Sequence, residues 1–280
     1  MIDLRSLLKI SRPRFWLYVF GPYIVGLAAA AGSGAGLLRP AALLFGLYFL
    51  LPANLLIYGT NDIADYETDK LNPKKAGYET VVHPEFRRRL AFWIIGLNIP
   101  FIVAAALMLR DSMPALLGFL FFSIFYSLRP IRAKAVPFLD SAFNVLYVFP
   151  GIFSFHMIAG QYPPFAAVLA AALWTAAMHA YSAVPDIDSD SRAGISTIAT
   201  AVGKRLTLVL CGLLFAASAL IAFQFLSYLS IVLGIAYVGL VLVSLMQYED
   251  ERLFRLYKAF PLINAVSGAL IFWYAALTLL

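Results

Sequence analysis

Tyr58-Gly59-Thr60-Asn61-Asp62-Ile63-Ala64-Asp65-Tyr66-Glu67-Thr68-Asp69-Lys70 closes an apolar run that begins near residue 41. An uncharged stretch long enough to cross a bilayer thus ends in a dense group of acids. On a helix, Asn61, Asp65 and Asp69 recur at i, i+4 and i+8, and Asp62 joins them on one broad face. Asn54, seven residues before Asn61, lies deeper on a similar face. A second apolar run, near 163–185, ends in the same way with His179-Ala180-Tyr181-Ser182-Ala183-Val184-Pro185-Asp186-Ile187-Asp188-Ser189-Asp190. Asp186 and Asp190 are i, i+4 partners, whereas Asp188 points elsewhere on a helix. The two segments hold seven of the chain's 15 acids.

The rest of the chain explains where these acids sit. Of 280 residues, 62% are hydrophobic and 13% charged, with mean hydropathy +0.84. That excludes a soluble globule, a disordered chain and a disulfide-stapled secreted domain, the last also because Cys211 is the lone cysteine. Nine runs are long enough to span a bilayer, near 15–31, 41–61, 89–109, 112–128, 138–158, 163–185, 206–225, 228–247 and 259–279. The uncharged stretch from Leu206 to Tyr248 would be about 64 Å long as one helix, so it must fold into two with a turn near Gln224 and Ser227. The expected fold is all-α and polytopic. Nine helices surround a central cavity in one domain, 1–280, and a polar cap is formed mainly by residues 63–88. Pro52 and Pro100 are expected to kink their helices. No cleavable signal is expected before the first run, and Gly32–Gly36 reads as a loop rather than a phosphate cradle.

Of the 21 lysines and arginines, 19 precede the first run or fall between runs two and three, four and five, six and seven, or eight and nine. Only Arg39 and Arg110 lie on the other side. The positive-inside rule places the N-terminus and both acid motifs in the cytoplasm. The net charge of +6 therefore reads as topology plus an anionic substrate, not as nucleic-acid binding.

Carboxylates spaced i, i+4 repel one another and are costly beside hydrocarbon unless neutralised. Mg²⁺ takes oxygen ligands and is commonly shared between carboxylates and substrate phosphate, so two acid groups are suited to two ions around one diphosphate.

The paired motifs resemble those of the UbiA superfamily of intramembrane prenyltransferases. Asn61-Asp62-x-x-Asp65-x-x-x-Asp69 is similar to the family's first aspartate motif and Asp186-x-x-x-Asp190 to its second. Tyr126-Ser127-Leu128-Arg129-Pro130-Ile131-Arg132-Ala133-Lys134 resembles the stretch between them, and Thr197-x-Ala199 with Gly203-Lys204 the stretch after. The resemblance covers essentially the whole chain. It implies that a prenyl diphosphate is ionised with Mg²⁺ and that the allylic cation alkylates an apolar acceptor in the membrane. It also implies that Asn61, Asp65 and Asp69, supported by Asp62, hold one Mg²⁺–diphosphate unit and that Asp186 and Asp190 hold the other. Lys134 matches the family's basic residue at the diphosphate, with Tyr126, Arg129 and Arg132 as neighbours. The segments His179–Asp186 and Asn72-Pro73-Lys74-Lys75 look most like the carotenoid-modifying branch, the lycopene elongases. Those transfer a five-carbon unit from dimethylallyl diphosphate to lycopene, after which water adds or a proton is lost. Few polar residues occur in the last three runs, which suits a hydrocarbon acceptor; a quinone, aromatic or lipid acceptor is the alternative.

His179, seven residues before Asp186, is a candidate to orient a carboxylate or accept a proton, and otherwise a packing histidine. Phe121, Phe122, Phe125 and Tyr126 are candidates to face a carbocation, and otherwise to pack or meet lipid. Arg87-Arg88-Arg89 reads as a lipid anchor or a diphosphate contact, and Arg12 and Arg14 share that ambiguity. No Cys/His spacing suggests zinc. A secondary transporter is the competing class, but it predicts ionisable groups at the bilayer midplane rather than gathered at helix ends. A membrane scaffold leaves the acids unexplained.

Overall fold

The computed structural model describes residues 3–32, 34–65, 83–247 and 250–279, and within them every regular element is a helix. Asp69, Glu67, the Asn72–Lys75 segment and most of the expected cap lie outside the described residues.

Seven described helices are long and apolar enough to cross a membrane: Pro40–Ala64, Pro84–Met108, Leu139–Ala159, Phe165–Arg192, Ile198–Leu226, Tyr228–Met246 and Arg252–Thr278. Two shorter apolar helices, Leu17–Ala30 and Met113–Ser127, coincide with the remaining expected runs. The surface explains the composition. Phe92, Ile95, Ile99, Val103 and Leu107 are exposed at helical spacing, as are Leu262, Val266, Leu270, Trp273 and Leu277. Such stripes are stable only against hydrocarbon, so the chain is an integral membrane protein.

Prolines shape the local breaks. Pro52 carries no N–H, and the helix divides at Leu51 into Pro40–Leu50 and Pro52–Ala64. Asn54 Nδ2 donates to the carbonyls of Phe49 (3.0 Å) and Leu50 (2.9 Å) beside this break. Asn98 Nδ2 donates to the Pro52 carbonyl (3.2 Å). These bonds satisfy backbone that water cannot reach. Pro100, where a kink is expected, lies inside the Pro84–Met108 helix. The uncharged stretch after residue 206 does turn at Ser227, whose φ is 49°. Its first helix starts earlier than expected, at Ile198. There Thr197 and Thr200 form a reciprocal capping box. Gly203, at φ 81°, permits the kink inside it. A short helix, Gly34–Leu37, occupies part of the expected Gly-rich loop.

The chain divides into two compact units. The first comprises Met1–Arg132 and Phe149–Tyr162 with the last two residues. Its core is aromatic: Tyr23, Phe45, Tyr48, Phe49, Phe119 and Phe153 are fully buried, and the Phe45 and Phe153 rings lie 4.8 Å apart. Leu17–Ala30 packs closely on Phe149–Ala159, and a Cβ on Gly26 would overlap the Gly151 carbonyl oxygen and Ser154 Oγ. Backbone cannot yield as a side chain does, so Gly26→Ala is expected to cost about 1–3 kcal/mol. A lowered unfolding midpoint in detergent checks this; an unchanged midpoint contradicts the close packing.

The second unit comprises Ala133–Val148 and Pro163–Thr278. Here Phe215 stacks on Tyr237 at 4.7 Å, and Tyr181 lies 4.7 Å from Phe260. Several polar groups of its last three helices make buried packing contacts. Tyr237 Oη donates to Asn264 Oδ1 (2.9 Å), Tyr181 Oη bonds Ser244 Oγ (2.9 Å), and Ser218 Oγ donates to the Ala170 carbonyl (2.8 Å).

Candidate active site

In the first unit, Pro52–Ala64 ends at Asp65, whose N–H closes onto the Asn61 carbonyl (3.0 Å). Asp62 and Asp65 are buried and Asn61 is half-buried. Each acid faces an arginine from a distant segment. Arg12 Nη2 donates to Asp62 Oδ1 at 3.0 Å while its guanidinium lies 4.9 Å from the Tyr58 ring centre. Arg132 Nη2 reaches Asp65 Oδ1 at 3.5 Å and is one-third exposed. The first pair is the tighter and better shielded. Both arginines have left-handed backbones, φ 52° and 48°. For a non-glycine residue that conformation costs about 1–3 kcal/mol and concentrates at functional sites. The sequence reading left Arg12 between lipid and substrate; the structure pairs it with the first motif. It also refines the neutralisation argument, because guanidinium groups supply part of the charge that was assigned wholly to metal.

Tyr126 ends the Met113–Ser127 helix half-buried, and Arg129 beyond it is exposed, next to a cis bond to Pro130. Of the proposed aromatic candidates, Phe122 stacks on Phe149 at 5.5 Å and Phe121 is 43% exposed. Asn54 is fully buried with its amide nitrogen committed to the helix break.

In the second unit, the Phe165–Ala183 helix runs through a 3₁₀ turn, Val184–Asp186, into Ile187–Arg192. Pro185 begins that turn, and Asp186 sits where the last short helix starts. Ser189 Oγ donates to the Asp186 carbonyl (2.9 Å). Asp186 and Asp190 are half-buried and Asp188 is exposed, as the i, i+4 spacing requires. Lys134 is buried in the Ala133–Ala135 turn.

Sequence reading missed Asp140. It is fully buried, its Oδ2 accepts the Ile198 N–H (3.0 Å), and the same oxygen lies 3.6 Å from His179 Nε2. One signal was available: Asp140 is the sole Asp, Glu, Lys or Arg between Leu139 and Ala159, and an ionisable group in such a run is a site candidate by default. His156 has a different partner, Ser112 Oγ at 2.8 Å. Among the described residues no three His, Cys, Asp or Glu side chains gather closely enough to form a metal cage.

Both acid motifs thus lie at the ends of apolar helices long enough to cross a membrane. The chain belongs to the UbiA prenyltransferase family, whose model matches residues 19–274. It is 41% identical over 267 residues to a lycopene elongase/hydratase of Haloferax volcanii, covering 94% of this chain and 85% of that protein. It is 38% identical to a lycopene elongase/hydratase of Haloarcula japonica, over 94% of this chain and 88% of that one. Its fold is similar to that of a UbiA homolog from Archaeoglobus fulgidus solved with DMAPP and Mg²⁺. The TM-score is 0.72 at 21% identity, with 98% of this chain and 99% of that one covered. The protein is a prenyltransferase.

Proposed function

We propose that this protein transfers the five-carbon group of dimethylallyl diphosphate to lycopene or a related carotenoid, with Mg²⁺, and that water can add to the product. The observation that carries the acceptor is the 41% identity, over 94% of the chain, to a protein named for elongating and hydrating lycopene. The use of Tyr237, Asn264, Ser244 and Ser218 in buried packing contacts supports a hydrocarbon acceptor.

The residues fit the metal. Asn61, Asp62, Asp65, Asp69, Asp186 and Asp190 offer a hard, all-oxygen donor set matched to Mg²⁺. When bound, the ion offsets the charge that develops on departing diphosphate. The chain's own residues do the rest. Lys134, Arg129 and Arg132 bind and orient the diphosphate, favouring its negative form as it leaves. Tyr126 positions it beside them. Arg12 holds Asp62 in place. The apolar helices exclude bulk water from the cation until the acceptor has reacted.

Residues 1–280 act as one functional domain with nine crossings, the two short helices Leu17–Ala30 and Met113–Ser127 completing the seven long ones. The clustering of 19 of 21 basic residues supports a cytoplasmic N-terminus and cytoplasmic acid motifs.

Expression in a lycopene-accumulating host tests the acceptor. Pigments heavier by one or two five-carbon units are expected on mass analysis. Unchanged lycopene, with prenylation of an aromatic precursor instead, would overturn it.

A further inference from the structure

Asp140 is the least explained group in the second unit. Burial of an acid with an unmet oxygen is costly, and Asp140 is fully buried with Oδ1 lacking a hydrogen-bond partner among the described residues. Its Oδ2 is held by the N–H of Ile198, in the first turn of the Ile198–Leu226 helix, where the helix dipole favours a negative group. The Thr197–Thr200 capping box fixes that helix start, and Asn144 Nδ2 donates to the Asp140 carbonyl at 2.7 Å. The carboxylate is therefore held by the start of the Ile198–Leu226 helix, and its backbone by Asn144, before it meets a third group.

The third is His179. Its Nε2 lies 3.6 Å from Asp140 Oδ2. The side chain is 20% exposed, so the ring is backed by the acid yet reachable. It stands seven residues, about 10 Å of helix rise, before Asp186 of the second acid motif. An acid at this distance can orient the ring with its proton on Nε2, which turns Nδ1 to the accepting role.

We propose that His179 is the base that ends the reaction by taking a proton from the adding water, and that Asp140 is its positioning residue. This rests on the prenyltransferase reading above. The donor C–O bond breaks and its electron pair leaves with the diphosphate. The π pair of an acceptor double bond forms the new C–C bond, leaving a tertiary carbocation on the acceptor. A lone pair of water bonds to that carbon, and one water proton passes to His179 Nδ1, giving a tertiary alcohol and an imidazolium. The imidazolium then returns its proton to solvent. Without the base, the cation instead loses a neighbouring C–H proton to the departed diphosphate, and that C–H electron pair re-forms a double bond.

The test is the ratio of hydrated to unhydrated elongated pigment made by the purified full-length protein in lipid vesicles. The reaction contains dimethylallyl diphosphate, Mg²⁺, lycopene and ¹⁸O-labelled water. The ratio counts only molecules that have reacted, so a variant that folds poorly still reports. Wild type is expected to yield labelled alcohol. His179→Gln is expected to lower the ratio by at least about tenfold while elongated product persists. Asp140→Asn is expected to shift the ratio in the same direction by less. A ratio unchanged in His179→Gln, or shifted towards alcohol, would overturn the assignment. Elongated pigment without labelled alcohol from wild type would overturn it while leaving prenyl transfer intact. No prenylated lycopene at all would overturn the acceptor reading and this inference with it.

Discussion

Alanine in place of Asp65, Asp186 or Asp190 is expected to lower prenyl transfer by at least about 10³-fold, because each removes one of the proposed oxygen ligands that offset leaving-group charge. Asp65 is buried at the end of an apolar helix, and Asp186 and Asp190 share one face at the end of another. Transfer of a labelled prenyl group in membranes checks the prediction, with protein yield and melting measured alongside. Turnover retained in all three variants would remove the metal-site assignment. Asp69 belongs to the same motif in sequence and is expected to behave alike.

The second large effect is on stability. Arg12→Ala deletes the guanidinium that reaches Asp62 at 3.0 Å, leaving a carboxylate 2% exposed without that partner. Breaking a buried pair from one side costs more than the pair itself contributes, here about 2–4 kcal/mol because Arg12 is partly accessible. The side chain also loses its contact with the Tyr58 ring. Adding Asp62→Asn to Arg12→Ala removes the buried charge that lost this arginine and is expected to recover part of the loss. A thermal unfolding series on the single and double variants measures it. Equal midpoints for wild type and Arg12→Ala would show that the pair carries no stability. The left-handed backbone of Arg12 gives a further comparison. Arg12→Gly relieves the strained φ while removing the same charge, so it is expected to be less damaging than Arg12→Ala.

The spans were legible because an apolar run of bilayer length is a strong local signal, and the turn at Ser227 followed from length alone. The acid motifs were legible because i, i+4 spacing is local too. What the sequence hid is long-range. Arg12 meets Asp62 across 50 positions, and Asp140 meets the Ile198 N–H across 58. Neither pairing leaves a periodicity to read. Asn54 had the right register for the motif's face, yet the helix break at Leu51 claimed its amide first.

The most direct test of the central claim is made with the purified protein in lipid vesicles containing lycopene and supplied with labelled dimethylallyl diphosphate. The account predicts that label moves into the pigment with release of diphosphate, that EDTA stops the transfer, and that added Mg²⁺ restores it. Label transfer that continues in EDTA would contradict the role given to the acid motifs. Accumulation of a solute inside the vesicles, with no prenylated product, would contradict the assigned chemistry itself.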